Sequence, residues 1–317
     1  MIRIVLLVLG FILLLVQQYI IPIDLNTQFI VFLSGIVLLG IPHGAADLLI
    51  ATKNADTRKR PFSKWKFLVV YLAKLSLFAG ILWSLPIAGN LLFIFFAAYH
   101  FGETDLYHFN TDTFLGKLFI ISYGLVILCV IILHHFDDVR PILQLFKTGE
   151  ENSAFIDWLG LNRYSIMSVT GIIFFTTAFL YFVRNSNDNK NEKGQFLIRF
   201  AVILFILFQL PLLIGFTFYF VIWHSVLSLN NIVFYLKNNN GYSERIITKQ
   251  ILIYSALAIG GIGLFGLTGF MFISSHAMAG YVFLGLAVLT APHMQVMYEM
   301  YNSIRISRPG EKQTGVV

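Results

Sequence analysis

The chain has 317 residues, of which 57% are hydrophobic and 12% charged, and its formal net charge is +6. Soluble proteins carry about a quarter of their residues as charged side chains, so this composition excludes the soluble and disordered classes. A single cysteine, Cys129, excludes an internal disulfide. The basic residues lie in short segments between apolar runs, which indicates orientation in a membrane and argues against nucleic-acid binding.

Ten apolar runs are long enough, or nearly so, to cross a lipid bilayer, since a spanning helix needs about 20 apolar residues. They are 3–21, 28–50, 66–85, 88–102, 114–135, 165–183, 196–213, 215–236, 250–273 and 277–300. The fourth run is short, and Pro211 and Gly215 divide the seventh from the eighth. The sequence predicts an all-α, polytopic membrane bundle of about ten transmembrane helices, with residues 1–317 forming one membrane-embedded domain.

The distribution of basic residues predicts the orientation of these helices. With the N-terminus inside, 18 of the 22 Lys and Arg residues fall in segments on the inner side. Among the other four, three lie in the outer segment 137–164 and Lys74 lies within the third run. Cytoplasmic loops are enriched in Lys and Arg, so we predict that both termini are cytoplasmic and that the protein is a multi-pass component of the inner (plasma) membrane.

Four histidines occur within these apolar runs, each on a different run. They are His43, His100, His224 and His293. His43 precedes the next inner basic residue by 10 positions, His224 by 13 and His293 by 12, which places them roughly 15–20 Å from the inner end at 1.5 Å per residue. His100 lies near the inner end of a short run. Ionisable side chains in a membrane helix cost about 2.5–3.5 kcal/mol, so they mark functional positions.

Carboxylates accompany two of these histidines. Asp47 follows His43 by four residues and is expected on the same helical face, while Glu103 and Asp105 follow His100 closely. A ligating imidazole usually donates its second N–H to such a carboxylate. We therefore predict that all three carboxylates support a bound cofactor by accepting hydrogen bonds from the histidines.

Small residues and prolines also flank the histidines. Gly44 and Gly102 are expected to allow close approach of a neighbouring helix or a bulky ligand. Pro42 and Pro292 directly precede two of the histidines and are expected to loosen the helix locally.

The type of site is open at this level. A lone histidine in a membrane helix usually packs against a hydrogen-bonding partner, but four at similar depth favour a metal site, and imidazole suits iron, zinc and copper alike. The remaining histidines are predicted to lie at membrane surfaces or in loops. They are His108, His134, His135 and His276.

Four motifs carry a resemblance to a known family. They are Pro42-His-Gly-Ala-Ala-Asp47, Tyr99-His-Phe-Gly-Glu-Thr-Asp105, Trp223-His-Ser225 and Pro292-His-Met294. In their order, spacing and apolar background, the sequence resembles the Brp/Blh family of β-carotene 15,15′-dioxygenases. The resemblance implies a membrane enzyme that uses histidine-bound Fe(2+) and O₂ to split the central double bond of β-carotene. The products would be two all-trans-retinal molecules, which serve rhodopsin-type proteins.

One position departs from the family pattern. The family commonly has a second histidine four residues after that of the Trp-His-Ser motif, and Ser228 occupies this position. Either His293 supplies the fourth ligand, which the depth estimate favours, or the site has lost a ligand. We therefore predict a catalytic metal site formed by His43, His100, His224 and His293. The alternative is a non-catalytic carotenoid- or retinoid-binding membrane protein.

Two other classes fit less well. Di-metal membrane desaturases and hydroxylases carry clustered histidine boxes, and the sequence has none of these clusters. A transporter built from two similar halves would show an internal repeat, which the sequence also lacks.

Overall fold

The structure, a computed structural model, describes residues 1–144, 150–185, 190–238, 242–269 and 275–306. Within these residues every regular element is helical and no strand occurs. The α-helices are α1 (Ile2–Leu15), α2 (Leu25–Gly35), α3 (Ile41–Ala45), α4 (Asp47–Thr57), α5 (Lys64–Ser84), α6 (Pro86–Leu106), α7 (Phe114–Cys129), α8 (Phe136–Gln144), α9 (Glu150–Arg184), α10 (Lys190–Gln209), α11 (Leu212–Phe216), α12 (Val226–Lys237), α13 (Glu244–Gly269) and α14 (Ser275–Ile306). The predicted all-α class is confirmed.

Four π-helical segments join some of these helices into longer rods. They are Val16–Ile20, Ile36–Gly40, Val130–His134 and Thr217–Ser225. Six continuous rods in the described residues are long and apolar enough to cross a membrane. These rods are Ile2–Ile20, Leu25–Thr57, Lys64–Ser84, Phe114–His134, Asn152–Arg184 and Leu212–Lys237. The protein is thus built as a helical membrane protein.

Helices overlap all ten predicted apolar runs, the ninth only as far as residue 269, because 270–273 lie outside the described residues. Several predicted boundaries are wrong by four residues or more, and two of these differences concern the fourth and sixth runs. The fourth helix extends to Leu106, so Glu103 and Asp105 lie within α6. The sixth begins at Glu150, so the stretch 153–158 belongs to the same long helix as 165–183. The prediction used apolar residues alone, so it ended each run where polar side chains begin, although the helix continues.

The central pair of helices, α6 and α7, packs backbone against backbone. A Cβ atom on Gly102 would lie 2.1 Å from the carbonyl oxygen of Ile120, and one on Gly124 would lie 2.0 Å from that of Ala98. Such distances exclude any larger residue, so the expectation of close approach at Gly102 is confirmed. At Gly44 no neighbouring helix comes close, because a Cβ there would meet nothing within 4 Å, so close approach of a bulky ligand at Gly44 stays a prediction.

Polar contacts fix the two ends of the bundle. At one end, Arg3 at the start of α1 donates to the carbonyl oxygen of Asp105 at 3.2 Å, and Arg305 at the end of α14 donates to Glu103 at 3.2 Å. Both arginines therefore lie beside the C-terminal turn of α6. At the other end, Gln18 donates to the carbonyl oxygen of Gln209 at 3.1 Å.

Candidate metal centre

Four helical elements bring the four predicted histidines together. His43 lies on α3 directly after a π-helical segment, His100 on α6, His224 within the π-helical segment Thr217–Ser225, and His293 on α14. All four side chains are buried, with exposed fractions between 1% and 6%. A π-helical turn rotates the side chains that follow it relative to an α-helix, and such turns often occur at functional sites.

Three of these histidines form a compact group of ring nitrogens. One nitrogen from each of His43, His100 and His224 lies within 4.8 Å of the other two. The closest measured pair is His100 Nε2 and His224 Nε2, at 3.1 Å. The depth estimate from the sequence placed His43 and His224 at one level, and their ring centroids are 5.5 Å apart.

His293 lies beside this group. Its ring centroid is 4.9 Å from those of both His43 and His100. Its Nδ1 lies 2.7 Å from Oδ1 of Asp47, whereas its Nε2 is buried and has no hydrogen-bond partner among the described residues. Hydrogen bonding thus assigns the proton to Nδ1 and leaves the Nε2 lone pair available.

The donor set fits a metal ion. Within the described residues, His43 Nδ1 and His100 Nδ1 are also buried without a partner, a costly state for polar atoms. Two nitrogens that bind one ion at neighbouring positions, each at about 2.1 Å, lie roughly 3 Å apart, close to the 3.1 Å between His100 and His224. Imidazole nitrogens suit iron, zinc and copper, so the donors alone do not select the metal.

Asp47 contacts a different histidine from the one predicted. The expectation that Asp47 accepts from His43 is wrong, because α3 ends at Ala45 and a turn at Ala46, with ψ of −9°, separates it from α4. Asp47 instead bridges His293 Nδ1 and the hydroxyl of Tyr71, which donates to Oδ2 at 2.9 Å. The break in the helix turns the carboxylate away from its i−4 neighbour.

Asp105 binds three aromatic side chains. It accepts hydrogen bonds from Tyr123 at 2.5 Å, from Tyr219 at 3.2 Å, and from the indole of Trp223 at 2.9 and 3.1 Å. Two of these donors lie in the π-helical segment that carries His224. The carboxylate therefore ties that segment to α6 and α7.

Glu103 forms part of an ion-pair network at the end of α6. It is fully buried and accepts from Arg305 at 3.2 Å and from Tyr99 at 3.4 Å, while Arg305 also pairs with Asp112 at 3.0 Å. Neither Glu103 nor Asp105 hydrogen-bonds a histidine ring in the described part of the chain. The expectation that they accept directly from His100 is corrected accordingly, because successive positions on α6 point in different directions.

Sequence reasoning missed the residues that hold these carboxylates. Trp223 precedes His224 in one of the motifs, which was an available signal. Tyr71 gave no signal, because a tyrosine in an apolar run is usually an interfacial anchor.

A cavity of about 500 Å³ adjoins the histidines, and most of its wall is apolar. His43, His100 and His293 all line it. On α6 the wall residues recur every three or four positions from Ile87 to Phe101, and on α14 they do so from Phe283 to His293. A second part of the wall comes from α3, α4, α5 and α13. It includes Gly44, Leu48, Phe67, Leu68, Tyr71, Tyr254 and Ala258.

Ser228 is fully buried, but it is not part of the described cavity wall. Its hydroxyl has no partner among the described residues. The π-helical segment ends at Ser225, so the turn that carries Ser228 is α-helical.

The other histidines lie apart from the group. His134 contacts the carbonyl oxygen of Phe208 at 3.2 Å, and His135 contacts that of Leu207 at 3.3 Å. These contacts give hydrogen-bond partners to two carbonyl groups in the last turn of α10, just before Pro211. His108 packs on the ring of Tyr107, with centroids 3.8 Å apart. The side chain of His276 lies outside the described residues.

Comparison with known proteins agrees with the resemblance seen in the motifs. A family model described as β-carotene 15,15′-dioxygenase matches residues 33–301. The β-carotene 15,15′-dioxygenase of uncultured marine bacterium 66A03 is 28% identical over 263 residues, which cover 83% of this chain and 90% of that protein. No solved structure matches the chain.

Proposed function

We propose that this chain cleaves β-carotene with O₂ at the central double bond to give two all-trans-retinal molecules. The chain belongs to the family of β-carotene 15,15′-dioxygenases, which supports this activity. The observation that carries this proposal is the cluster of buried imidazoles, because three of these rings line a mostly apolar cavity. The reaction balances without a further reductant, since each oxygen atom of O₂ ends in one aldehyde group.

We assign iron(II) as the metal, held by His43, His100 and His224, with Nε2 of His293 as the fourth donor. When bound, iron(II) supplies the one-electron chemistry that makes O₂ reactive toward a double bond. Ser228, which occupies the position of a family histidine, has no imidazole to offer. His293 thus completes a four-imidazole set.

Asp47 positions His293 in this assignment. By accepting the Nδ1 hydrogen at 2.7 Å it fixes the ring orientation and tautomer, and its negative charge makes Nε2 a stronger donor. Tyr71 in turn fixes Asp47 through the second carboxylate oxygen. Asp105 acts at a greater distance, by holding the segment that carries His224 in place.

The cavity binds the polyene by burying its apolar surface and excluding water from the cleavage site. On α6 and α14 the wall residues precede His100 and His293 for the most part, while another set of wall residues follows His43 into α4, α5 and α13. Because the cavity wall extends to both sides of the histidines, the two halves of a polyene can lie on either side of them, with an internal double bond beside the metal. Substrate and product both dissolve in the bilayer, so we expect exchange with lipid and transfer of retinal to a rhodopsin-type acceptor.

We further propose ten membrane spans, with both ends on the cytoplasmic side of the inner membrane. The contacts of Arg3 and Arg305 with the same turn of α6 support a common side for the start of α1 and the end of α14. Reporter fusions after residue 317 and within 145–149 should report opposite sides of the membrane. A common side for both fusions would refute the ten-span arrangement.

Two measurements on the detergent-purified protein test the enzymatic proposal. Metal analysis should give one iron per chain, and chromatography after incubation with β-carotene in air should show retinal as the only aldehyde product. Pigment that is retained without any aldehyde would favour the carrier alternative. Two metals per chain would instead indicate a di-metal oxygenase.

A further inference from the structure

Asn152 is an amide that the proposed chemistry does not use, although it lines the cavity. Its side chain is buried, with 7% exposed, and it lies on the same face of α9 as three apolar wall residues, Phe155, Ile156 and Leu159. Within the described part of the chain, the Asn152 amide engages in no hydrogen bond. An apolar ligand that covered this amide would bury it without a partner, which is costly, so this position favours a polar group in the cavity.

Two other polar residues of the cavity wall, one on α6 and one on α14, already have hydrogen-bond partners. The Asn90 amide donates to the carbonyl oxygen of Pro86 at 2.9 Å, and the Thr290 hydroxyl donates to that of Leu286 at 2.7 Å. These bonds lie within their own helices and offset the cost of burial. Asn152 differs from both, because it lines the cavity and its amide has no hydrogen-bond partner in the described part of the chain.

This amide lies at the end of the cavity remote from the histidines. Gly124 of α7 meets Ala98 of α6, and the next turns of α7 run toward the start of α6, away from His100. Ile156, one turn after Asn152, belongs to the buried cluster that includes Leu133 and Phe136 just beyond α7. On α6 the wall extends back to Ile87, thirteen residues or roughly 20 Å before His100.

We propose that this end of the cavity holds a hydroxylated terminal ring, so that the preferred substrate is a polyene with a hydroxyl group on one end ring. The inference rests on the proposed function only in taking a carotenoid as the ligand. An amide offers both a donor and an acceptor, and a hydroxyl group can use either. An unsubstituted ring would leave the amide without a partner, so a hydrocarbon end is disfavoured there.

Binding without turnover tests this proposal separately from the enzymatic one. The full-length protein is equilibrated anaerobically, in detergent, with equal amounts of β-carotene and the same polyene bearing one ring hydroxyl. The bound pigments are then extracted and separated by chromatography. We expect the hydroxylated pigment to be enriched about three- to tenfold in the wild-type protein, the range for one net hydrogen bond.

Two variants and a matched control assign the preference to Asn152. Asn152→Ala removes the amide without adding bulk, and Asn152→Leu replaces it with an apolar group of similar size, so both should bring the ratio close to one. Asn162→Leu is the control, because Asn162 lies on the same helix, donates to the carbonyl oxygen of Trp158 at 2.8 Å and is not part of the described wall.

A wild-type ratio near one would overturn the proposal, and so would a preference that survives Asn152→Ala. Loss of the preference in Asn152→Leu alone would also overturn it, since bulk rather than hydrogen bonding would then be the cause. If the ratios follow expectation but no aldehyde forms in air, the inference stands and only the proposed cleavage fails.

Discussion

Asp47 and Asp105 are both buried carboxylates near the histidine group, yet they bind different kinds of partner. Asp47 contacts an imidazole directly, at 2.7 Å from His293 Nδ1. Asp105 contacts two phenol hydroxyls and the indole of Trp223, and its effect on His224 passes through the helix. Proximity in sequence to a histidine therefore does not identify the carboxylate that supports it.

The largest effect is expected from removing an imidazole. His43→Ala, His100→Ala, His224→Ala and His293→Ala should each lower iron content and retinal formation by more than about 100-fold, because loss of a donor exceeds the effect of losing an outer partner. Metal analysis and product chromatography measure both quantities. His134→Ala is the matched control and should behave as wild type, since this ring only contacts the carbonyl oxygen of Phe208. Full iron content in His293→Ala would remove His293 from the ligand set.

Asp47→Asn should have the next largest effect. The amide oxygen can still accept from His293, but without the negative charge, so iron affinity or cleavage rate should fall about 10–100-fold. Iron titration and initial rates on the same preparation separate the two. Tyr71→Phe is the companion variant and should be milder, because it leaves the carboxylate in contact with His293. Wild-type affinity and rate in Asp47→Asn would reduce Asp47 to a packing residue.

Asp105→Asn should affect stability more than iron. An amide offers one acceptor oxygen to three donors, so the free energy of unfolding should fall by about 1–3 kcal/mol while the folded fraction keeps its iron. Thermal unfolding in detergent, combined with metal analysis of the folded fraction, tests this contrast with Asp47. If Asp105→Asn lost iron as readily as Asp47→Asn at equal stability, the distinction between the two carboxylates would be wrong.

Ser228→His should have the smallest effect on iron. Ser228 is fully buried, and His293 supplies the fourth donor in our assignment, so an imidazole at position 228 should crowd its neighbours and cost about 1–3 kcal/mol without adding a ligand. Iron per chain should remain at one. A marked rise in both iron occupancy and retinal yield would show that the natural site lacks a donor, and would favour the carrier alternative.

The sequence by itself determined the helical class, the membrane environment and the histidines that meet. Apolar run length reports on lipid crossing because every backbone polar group in the bilayer must be paired within a helix. Depth could be counted from the basic ends because helical rise is constant. A common depth for His43, His224 and His293 followed from these two rules, while His100 was assigned to the same group without a matching depth. The family resemblance followed from the motifs around all four histidines.

Only the tertiary structure decided which side chain supports which histidine. Helical periodicity assumes an unbroken helix, and the turn at Ala46 changed the direction of Asp47, while π-helical turns changed the register around His224. The partner of Asp47 is 246 residues away along the chain. Contacts at that separation depend on how helices pack, which the local pattern of a single sequence does not encode.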